Sequence, residues 1–431
     1  MTKKTNNPRE CALASLVSLE RDGRYSNLEI NSTIEHSSMS DADRGLYTRL
    51  VYGVTERRIT LDHIIGEYSS LSEDELDSDI KTALRIGLYQ LIFMDRIPEH
   101  AAVSSSVELV PRRKSGYVNA VLRSFLRAGK KYFLPDKNDT LNYLSVKYSV
   151  PVELCALFNK YYSGEELEDL LFTMNKEPRI SLRVNTLKIS AERARPECGG
   201  ELSKLAPDTI LIPSFTDTVK RGIDEGLWFV QDEASRITSA AVGACSGETV
   251  ADVCACPGGK SFSMAVDMRN EGKLYSFDIH KNKLPLVEKG AERLGITIIQ
   301  TEKRDAREPN PELIGKIDRV LCDAPCSGLG VIAKKPEVRF KDLSAISSLP
   351  EIQYNVLTGA SKYVKNGGIL VYSTCTLNKA ENEEVVERFL AANPNFTLYD
   401  DVYLKGGIRT FLPHKDGCDG FFAAKMRKSN K

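Results

Sequence analysis

The sequence predicts a multidomain chain: an all-α bundle at the N-terminus, a small α+β segment behind it, and an α/β domain with a mostly parallel sheet. Three observations carry this. The chain has 431 residues, more than one ordinary compact domain holds. Before residue 130, apolar residues such as Ile80, Ala83, Leu84, Gly87, Leu88 and Leu91 recur at helical spacing. From about residue 233, short apolar runs alternate with helix-compatible segments, the pattern of successive βα units.

Residues 1–135 form the expected helical domain. The acids Glu73, Asp74, Glu75, Asp77 and Asp79 precede its clearest apolar stripe, where a helix macrodipole favours negative charge. Residues 133–141 are polar and turn-rich, so the linker is expected there. Residues 142–232 make the small α+β subdomain, with alternating strand patterns at 179–186, 209–212 and 227–230. Residues 233–431 make the α/β domain, with strands at 249–253, 273–278, 296–300, 317–322, 367–373 and 420–425. There is no internal repeat and no low-complexity tract.

Bulk properties narrow the class. With 42% hydrophobic and 27% charged residues the composition is that of a globular protein. No apolar run is long enough for a membrane span. The start, Met1-Thr2-Lys3-Lys4-Thr5-Asn6-Asn7, is polar with no apolar run behind it, which argues against a secretory signal. Ten cysteines in such a chain are expected as reduced thiols in a cytoplasm. The formal net charge is zero. That mildly opposes a nucleic-acid partner unless a basic face is hidden in the total; Arg112-Arg113-Lys114, Lys130-Lys131 and Lys334-Lys335 are the local candidates, each also readable as a solvated cluster.

The most informative stretch is Asp252-Val253-Cys254-Ala255-Cys256-Pro257-Gly258-Gly259-Lys260. A strand, a tight turn and a helix start follow one another there. Ligands of open α/β sheets sit at the carboxyl ends of strands, and glycines let the backbone approach them closely. Asp278 ends the next apolar run, at a distance typical of an acid that binds a ribose hydroxyl. A P-loop needs a glycine where Cys254 stands, and a dinucleotide fingerprint needs glycines that are not adjacent. S-adenosylmethionine remains, with a ribose but no phosphates. Asp305, beyond the third strand of this domain, is placed to reach the adenine edge.

Two more strand ends carry thiols: Leu321-Cys322-Asp323-Ala324-Pro325-Cys326-Ser327-Gly328 and Val371-Tyr372-Ser373-Thr374-Cys375-Thr376. Both project from the carboxyl edge that bears the glycine turn. Two thiols and a carboxylate beside a methyl donor suit methylation of carbon 5 of cytosine. A thiolate that adds to carbon 6 makes carbon 5 nucleophilic, and an acid at ring nitrogen 3, a role for a protonated or proton-sharing Asp323, stabilises the adduct. A helix expected from Asn378, just after Cys375, would lower that thiol's pKa through its N-terminus. Cys254, Cys256 and Cys322 read as buried apolar thiols. No Cys-x-x-Cys pair exists and the histidines are scattered, so no metal is expected. Spacing alone does not say which of Cys326 and Cys375 attacks.

As a set, Asp252 to Lys260, Asp323 to Gly328 and Ser373 to Thr376 resemble the signature motifs of RNA 5-methylcytosine methyltransferases. Leu50-Val51-Tyr52-Gly53-Val54, Gly87-Leu88-Tyr89-Gln90-Leu91 and Val118-Asn119-Ala120-Val121-Leu122-Arg123 resemble a NusB-like RNA-binding domain. Together they resemble the ribosomal RNA small-subunit methyltransferase B family, also called Sun or Fmu, over nearly the whole chain. The resemblance implies a Rossmann-like, S-adenosylmethionine-dependent enzyme acting on carbon 5 of a cytosine in 16S (small-subunit) ribosomal RNA; the chain is expected to be a cytoplasmic monomer. It implies that Cys254, Ala255, Cys256, Pro257, Gly258, Gly259, Lys260, Asp278, Asp305 and Asp323 bind the cofactor or line its site. It makes Cys375 the nucleophile and Cys326 the residue that helps release product. Cys256 departs from the family's usual alanine, and Phe340 stands where tryptophan is common. The rival readings are a non-catalytic RNA-binding or antitermination factor, a methyltransferase of another RNA, and a DNA cytosine methylase.

Overall fold

A computed structural model describes residues 6–430. The chain divides into two compact units: one ends at Lys176 and includes residues 332–341, and the other holds the remainder.

The first unit is helical. Its helices are α1 (Pro8–Asp22), α2 (Ser26–Glu35), α3 (Asp41–Glu56), α4 (Arg58–Tyr68), α5 (Ser78–Phe93), α6 (Glu99–Val107), α7 (Arg112–Arg127), α8 (Thr140–Tyr148), α9 (Val152–Asn159) and α10 (Gly164–Thr173). The stripe of α5 is buried as its spacing predicts, with Ala83 and Leu84 packed among Leu50, Val54 and Leu122. Of the acids before it, Asp77 and Asp79 pair with Lys114 at 2.7 and 2.9 Å. That cation of the first basic cluster is thus engaged, as is Lys130, 2.9 Å from Glu99.

The boundary does not fall in the expected linker. Residues 131–139 are irregular, but α8–α10 stay with the bundle. Thr60 Oγ1 donates to Val146 O at 2.6 Å, and the Ile59 amide donates to Ser149 Oγ at 3.0 Å. A polar, turn-rich stretch marks a surface loop, which need not separate domains. Residues 332–341, expected in the α/β domain, also pack in the helical unit. Arg339 holds them there, with bonds to Glu56 O and Ser149 O, both at 2.8 Å, and to Met174 O at 3.1 Å.

The second unit holds two sheets. The small one is antiparallel, in the order β2 (Glu201–Leu202), β3 (Thr209–Ile212), β1 (Ile180–Val184), β4 (Trp228–Val230). It is covered by α11 (Ala191–Cys198) and α12 (Asp217–Asp224). The expected strands are present, and only the two-residue β2 was not foreseen. Arg183 of β1 is fully buried, and its guanidinium reaches Asp267 at 3.0 Å. Asp267 also takes Arg236 of α13 (Glu233–Val242), at 2.8 Å, so the small sheet is anchored to the helix that follows the glycine turn.

The large sheet begins with β5 (Thr249–Asp252), α14 (Gly259–Asp267), β6 (Lys273–Asp278), α15 (Leu284–Leu294), β7 (Ile299–Lys303) and β8 (Ile317–Asp323). Two helices, α16 (Leu343–Ile346) and α17 (Leu349–Ser361), lead to β9 (Val364–Thr374) and α18 (Glu383–Ala392). The chain closes with β10 (Phe396–Leu398), β11 (Ile408–Phe411), α19 (Pro413–Asp416) and β12 (Phe421–Lys428). Strand order is β10-β12-β9-β8-β5-β6-β7, with β11 also on β12. The pairs β8–β9, β5–β8, β5–β6 and β6–β7 are parallel, and every pairing of β12 is antiparallel. The mostly parallel sheet is as expected.

One strand is displaced from its expected place. The run at 296–300 starts as a strand only at Ile299. Gly295 ends α15 in a left-handed conformation, and the Ile296 amide bonds back to Ala291 O at 2.8 Å, so Ile296 completes the helix cap.

Candidate active site

The central strands β5, β6, β8 and β9 run in one direction, so the loops after their carboxyl ends gather at one edge. At β5 the turn remains stitched to its neighbours: the Val253 amide donates to Leu321 O at 3.0 Å, and Ala255 to Phe277 O at 2.8 Å. The Cys256–Pro257 peptide is cis, and Gly258 has φ +116°. A Cβ on Gly258 would stand 2.4 Å from the Phe262 ring, whereas one on Gly259 would meet only Gln231 Nε2, at 3.8 Å. Gln231 fastens the turn to the small sheet: its Nε2 donates to Gly259 O at 3.1 Å, and its Oε1 accepts from Ser263 Oγ at 2.6 Å.

Two carboxylates frame this turn. Asp278, at the end of β6, accepts the Cys256 amide at 3.2 Å and the His280 amide at 2.8 Å. Asp252, at the end of β5, is buried; its Oδ2 accepts from Ser261 Oγ at 2.7 Å and its Oδ1 has no hydrogen-bond partner. Burial pushes the Asp252 carboxyl up to about 7 against the Ser261 hydrogen bond. Burial, reinforced by Asp278, also pushes the Cys256 thiol up to about 12. Burial likewise holds the Cys254 and Cys322 thiols well above the usual range. Cys322 is fully buried, while Cys254 and Cys256 are half-buried.

These residues fit S-adenosylmethionine. Asp278 keeps acceptor capacity for a ribose hydroxyl after its two amide bonds. A partnerless buried oxygen on Asp252 beside Asp278 suits a ligand carrying an ammonium and a sulfonium. The one lysine of the turn, Lys260, faces a carboxylate rather than a phosphate site: its Nζ lies 2.7 Å from Asp323 Oδ2. Asp305 stands apart in its contacts. Arg307 takes both of its oxygens, at 2.9 and 2.5 Å, and holds the carboxyl below its usual range. Nothing in the spacing had indicated that pair.

The thiols meet where the loops after β8 and β9 lie side by side. Ala324 donates its amide to Ser373 O, Gly330 to Cys375 O and Gly420 to Gly330 O, each at 2.9 Å. A Cβ on Gly330 would fall 1.9 Å from Gly420 O, so this three-segment approach needs glycine. Cys326 Sγ and Cys375 Sγ are 3.2 Å apart. The Cys375 sulfur, together with burial, holds the Cys326 thiol well above the usual range. Beside them Asp323 accepts Ser373 Oγ at 2.7 Å as well as Lys260, and Lys260 sits 4.8 Å from the Phe421 ring centroid. Burial alone would lower the Lys260 ammonium; Asp323 and then Cys375 outweigh it and raise it. Asp323, expected to be protonated or to share a proton, has the Lys260 ammonium as its partner.

The helix expected immediately after Cys375 starts later. Residues Lys379–Glu381 form a 3-10 turn and α18 begins only at Glu383. Asn378 caps that turn and Glu381 faces inward, fully buried. The cation near Cys375 is Lys260 rather than a helix end. Sequence reasoning passed over Glu381, Ser373, Gln353 and Phe421. Glu381 falls in the segment expected as a helix from Asn378, and no spacing rule distinguishes it from Glu383 or Glu384.

Comparison with known proteins decides the family. The model of the 16S rRNA methyltransferase RsmB/F family matches residues 241–427, and that of the NusB family matches residues 6–127. The probable ribosomal RNA small subunit methyltransferase B of Bacillus subtilis is 36% identical, covering 99% of both chains. This chain belongs to the ribosomal RNA small-subunit methyltransferase B family. The corresponding protein of Synechocystis is 33% identical over 98% of this chain and 99% of its own. The crystal structure of PH0851 covers 98% of this chain and 99% of its own with a TM-score of 0.79 at 29% identity. A methyltransferase homologue from Pyrococcus horikoshii covers 67% and 99%, with a TM-score of 0.60 at 27% identity. The helical unit therefore contains a NusB domain, and the large sheet is that of a Rossmann-like methyltransferase domain. Family membership makes the chain a methyltransferase and sets aside the non-catalytic reading. Among the described residues no helix is long and apolar enough to cross a membrane.

Proposed function

We propose that this chain methylates carbon 5 of a cytosine in small-subunit ribosomal RNA, using S-adenosylmethionine and a transient bond between Cys375 and the base. The observation that carries the reading is the 3.2 Å approach of the Cys326 and Cys375 sulfurs beside the Lys260–Asp323 pair. Binding a nucleic acid needs no paired thiols, whereas this reaction uses two. The choice of ribosomal RNA rests on the names of the full-length relatives.

Bound S-adenosylmethionine supplies an electrophilic methyl group. Residues 254–260, with Asp278, hold it against the sheet edge, and Asp323 borders its site; Asp305 acts from the next strand through its Arg307-bound carboxylate. The Cys375 thiol gives up its proton to solvent, and the thiolate sulfur adds to carbon 6 of the ring, pushing the carbon 5–carbon 6 electron pair toward ring nitrogen 3. Lys260, held by Asp323, donates a hydrogen bond at ring nitrogen 3, where negative charge develops. Carbon 5 is thereby made nucleophilic. The Cys326 thiol, no longer facing a free sulfur, loses its own proton to solvent; after methyl transfer its thiolate takes the carbon 5 proton, the electron pair of that bond re-forms the carbon 5–carbon 6 double bond, and the sulfur–carbon 6 bond breaks so that Cys375 leaves as a thiolate. The timing suits Cys326. The sulfur that most raises its pKa is Cys375, and in the adduct that sulfur is bonded to carbon.

The target base must leave its stack, or lie in single-stranded RNA, to meet Cys375. The helical unit holds the phosphate backbone through exposed arginines of α7 such as Arg112, Arg113, Arg123 and Arg127. The test is incubation with labelled S-adenosylmethionine and small-subunit ribosomal RNA, followed by digestion and mass spectrometry of the nucleosides. The expected product is 5-methylcytidine. Label on another base, on another RNA only, or on DNA only, overturns the reading.

A further inference from the structure

Glu381 is fully buried in the short turn between Cys375 and α18. A carboxylate there must be satisfied by donors, and four converge on it. Oε2 accepts the Ser327 amide at 2.8 Å and Gln353 Nε2 at 2.9 Å. Oε1 accepts the Ser327 hydroxyl at 2.6 Å and Asn378 Nδ2 at 3.1 Å. Ser327 and Thr376 hydroxyls are 2.7 Å apart. Because the Ser327 proton points to Glu381, the Thr376 hydroxyl is the donor in that contact.

Ser327 follows Cys326, and Thr376 follows Cys375. One buried carboxylate therefore binds the residue after the first thiol directly and the residue after the second through one hydroxyl. Gln353 of α17 closes the clamp by donating also to Pro325 O, before Cys326, at 2.9 Å. All four donors need acceptors, which a carboxylate provides and an amide of the same shape does not.

We propose that Glu381 is a positioning residue that sets the register of the two thiol loops and so the separation of the Cys326 and Cys375 sulfurs. The inference rests on the proposed reading of those thiols as the reacting pair. Glu381 does not touch the base or the cofactor; it acts through Ser327 and Thr376.

The test compares wild type, Glu381→Gln, the double variant and Thr376→Val. The last keeps shape but cuts the link at its other end. Each is assayed for methyl transfer, and for covalent capture of RNA carrying 5-fluorocytosine, whose fluorine blocks release. For both variants kcat is expected to fall roughly ten- to a hundredfold, as displaced reacting groups do. KM for S-adenosylmethionine and RNA should stay within about twofold, and the double variant should lose no more than the worse single one. Capture should slow in step with kcat. If either variant folds, binds cofactor and keeps wild-type kcat and capture rate, the proposal is overturned. An equal loss of cofactor and RNA affinity, with kcat kept, also overturns it, because that is general loosening of the fold. Failure of the wild-type chain to capture the RNA at all instead removes the underlying reading of Cys375.

Discussion

Cys326 and Cys375 present their sulfurs 3.2 Å apart although their loops follow different strands. The parallel pairing of β8 with β9 brings the strand ends level, with Asp323 opposite Ser373. The contact with Cys375, together with burial, raises the pKa of the Cys326 thiol. Cys375→Ala is expected to lower methyl transfer by at least about a thousandfold, as loss of a nucleophile does, with the affinity for S-adenosylmethionine kept. Cys326→Ala should stall after methyl transfer and accumulate a protein–RNA species that migrates slowly on a denaturing gel. Calorimetry, label transfer and the gel check these together. An adduct from Cys375→Ala would exchange the assigned roles.

Asp252 is expected to make cofactor binding depend on pH. Its carboxyl titrates at about 7 in the folded chain, raised from its ordinary 3.8 mainly by burial. A ligand bearing an ammonium and a sulfonium favours the ionised form. Affinity should therefore rise with pH, by up to about tenfold per pH unit below 7, and level off above it. Titrations are best kept below about pH 7.5, because an α-amino group itself titrates near 8. Asp252→Asn should flatten the slope. Stability runs the other way. A carboxyl with a raised folded-state pKa contributes stability that is fully present below its unfolded value and is lost as the pH rises through its folded value. The wild-type chain should thus weaken against Asp252→Asn between pH 4 and 7, by at most roughly 4 kcal/mol. A dissociation constant equally pH-independent in both proteins would show that Asp252 does not sense the ligand.

The two adjacent glycines of the turn separate backbone strain from ligand contact. Gly258 has φ +116° and a Phe262 ring where a Cβ would go, whereas a Cβ on Gly259 would make only an ordinary contact with Gln231 Nε2, at 3.8 Å. Gly258→Ala should cost about 1–3 kcal/mol of stability, the range for forcing a side chain into a left-handed position. Gly259→Ala should leave stability within about 0.5 kcal/mol of wild type and reveal, through its effect on S-adenosylmethionine affinity alone, how close the cofactor lies. Thermal melts with and without cofactor read both. Equal melting temperatures for the two variants would contradict the assigned turn geometry.

Much of this was legible before the structure, for a physical reason. Strand ends that carry chemistry combine an apolar run with Gly, Pro, Cys and Asp, so Gly258, Cys326 and Cys375 announce themselves. Parallel pairing then makes their convergence an expectation. What escaped was set by long-range contact. Lys260 looks like part of a glycine turn, and only the fold turns it toward Asp323. Glu381 sits in a run of acids, and only burial against Ser327 and Gln353 marks it out. The short edge strands β10 and β11 owe their pairing to β12 and carry little pattern of their own. Likewise α8–α10 read as belonging with the strands that follow them, because the bonds from Ile59 and Thr60 that hold them to α4 cross more than eighty residues of sequence.

Arg339 illustrates the same dependence and carries the sharpest stability prediction. Its side chain is 1% exposed, and burial pushes its pKa down to about 10, which leaves it charged at neutral pH. Its guanidinium donates to Pro336 O, Glu56 O, Ser149 O, Asn175 Oδ1 and Met174 O. Those five acceptors belong to four separate stretches of the helical unit. Arg339→Met keeps the volume but strands all five, and should cost about 3 kcal/mol or more. Arg339→Lys should recover little of this, since one ammonium with three donors cannot copy a planar fork. Denaturant unfolding followed by circular dichroism measures the loss. A chain of two units need not unfold in one step, and the transition of the helical unit is the one that should move. The Asp252→Asn and Gly258→Ala effects, in the other unit, should add independently to it. If Arg339→Met unfolds at the wild-type midpoint, the buried guanidinium is not what holds residues 332–341 in the bundle.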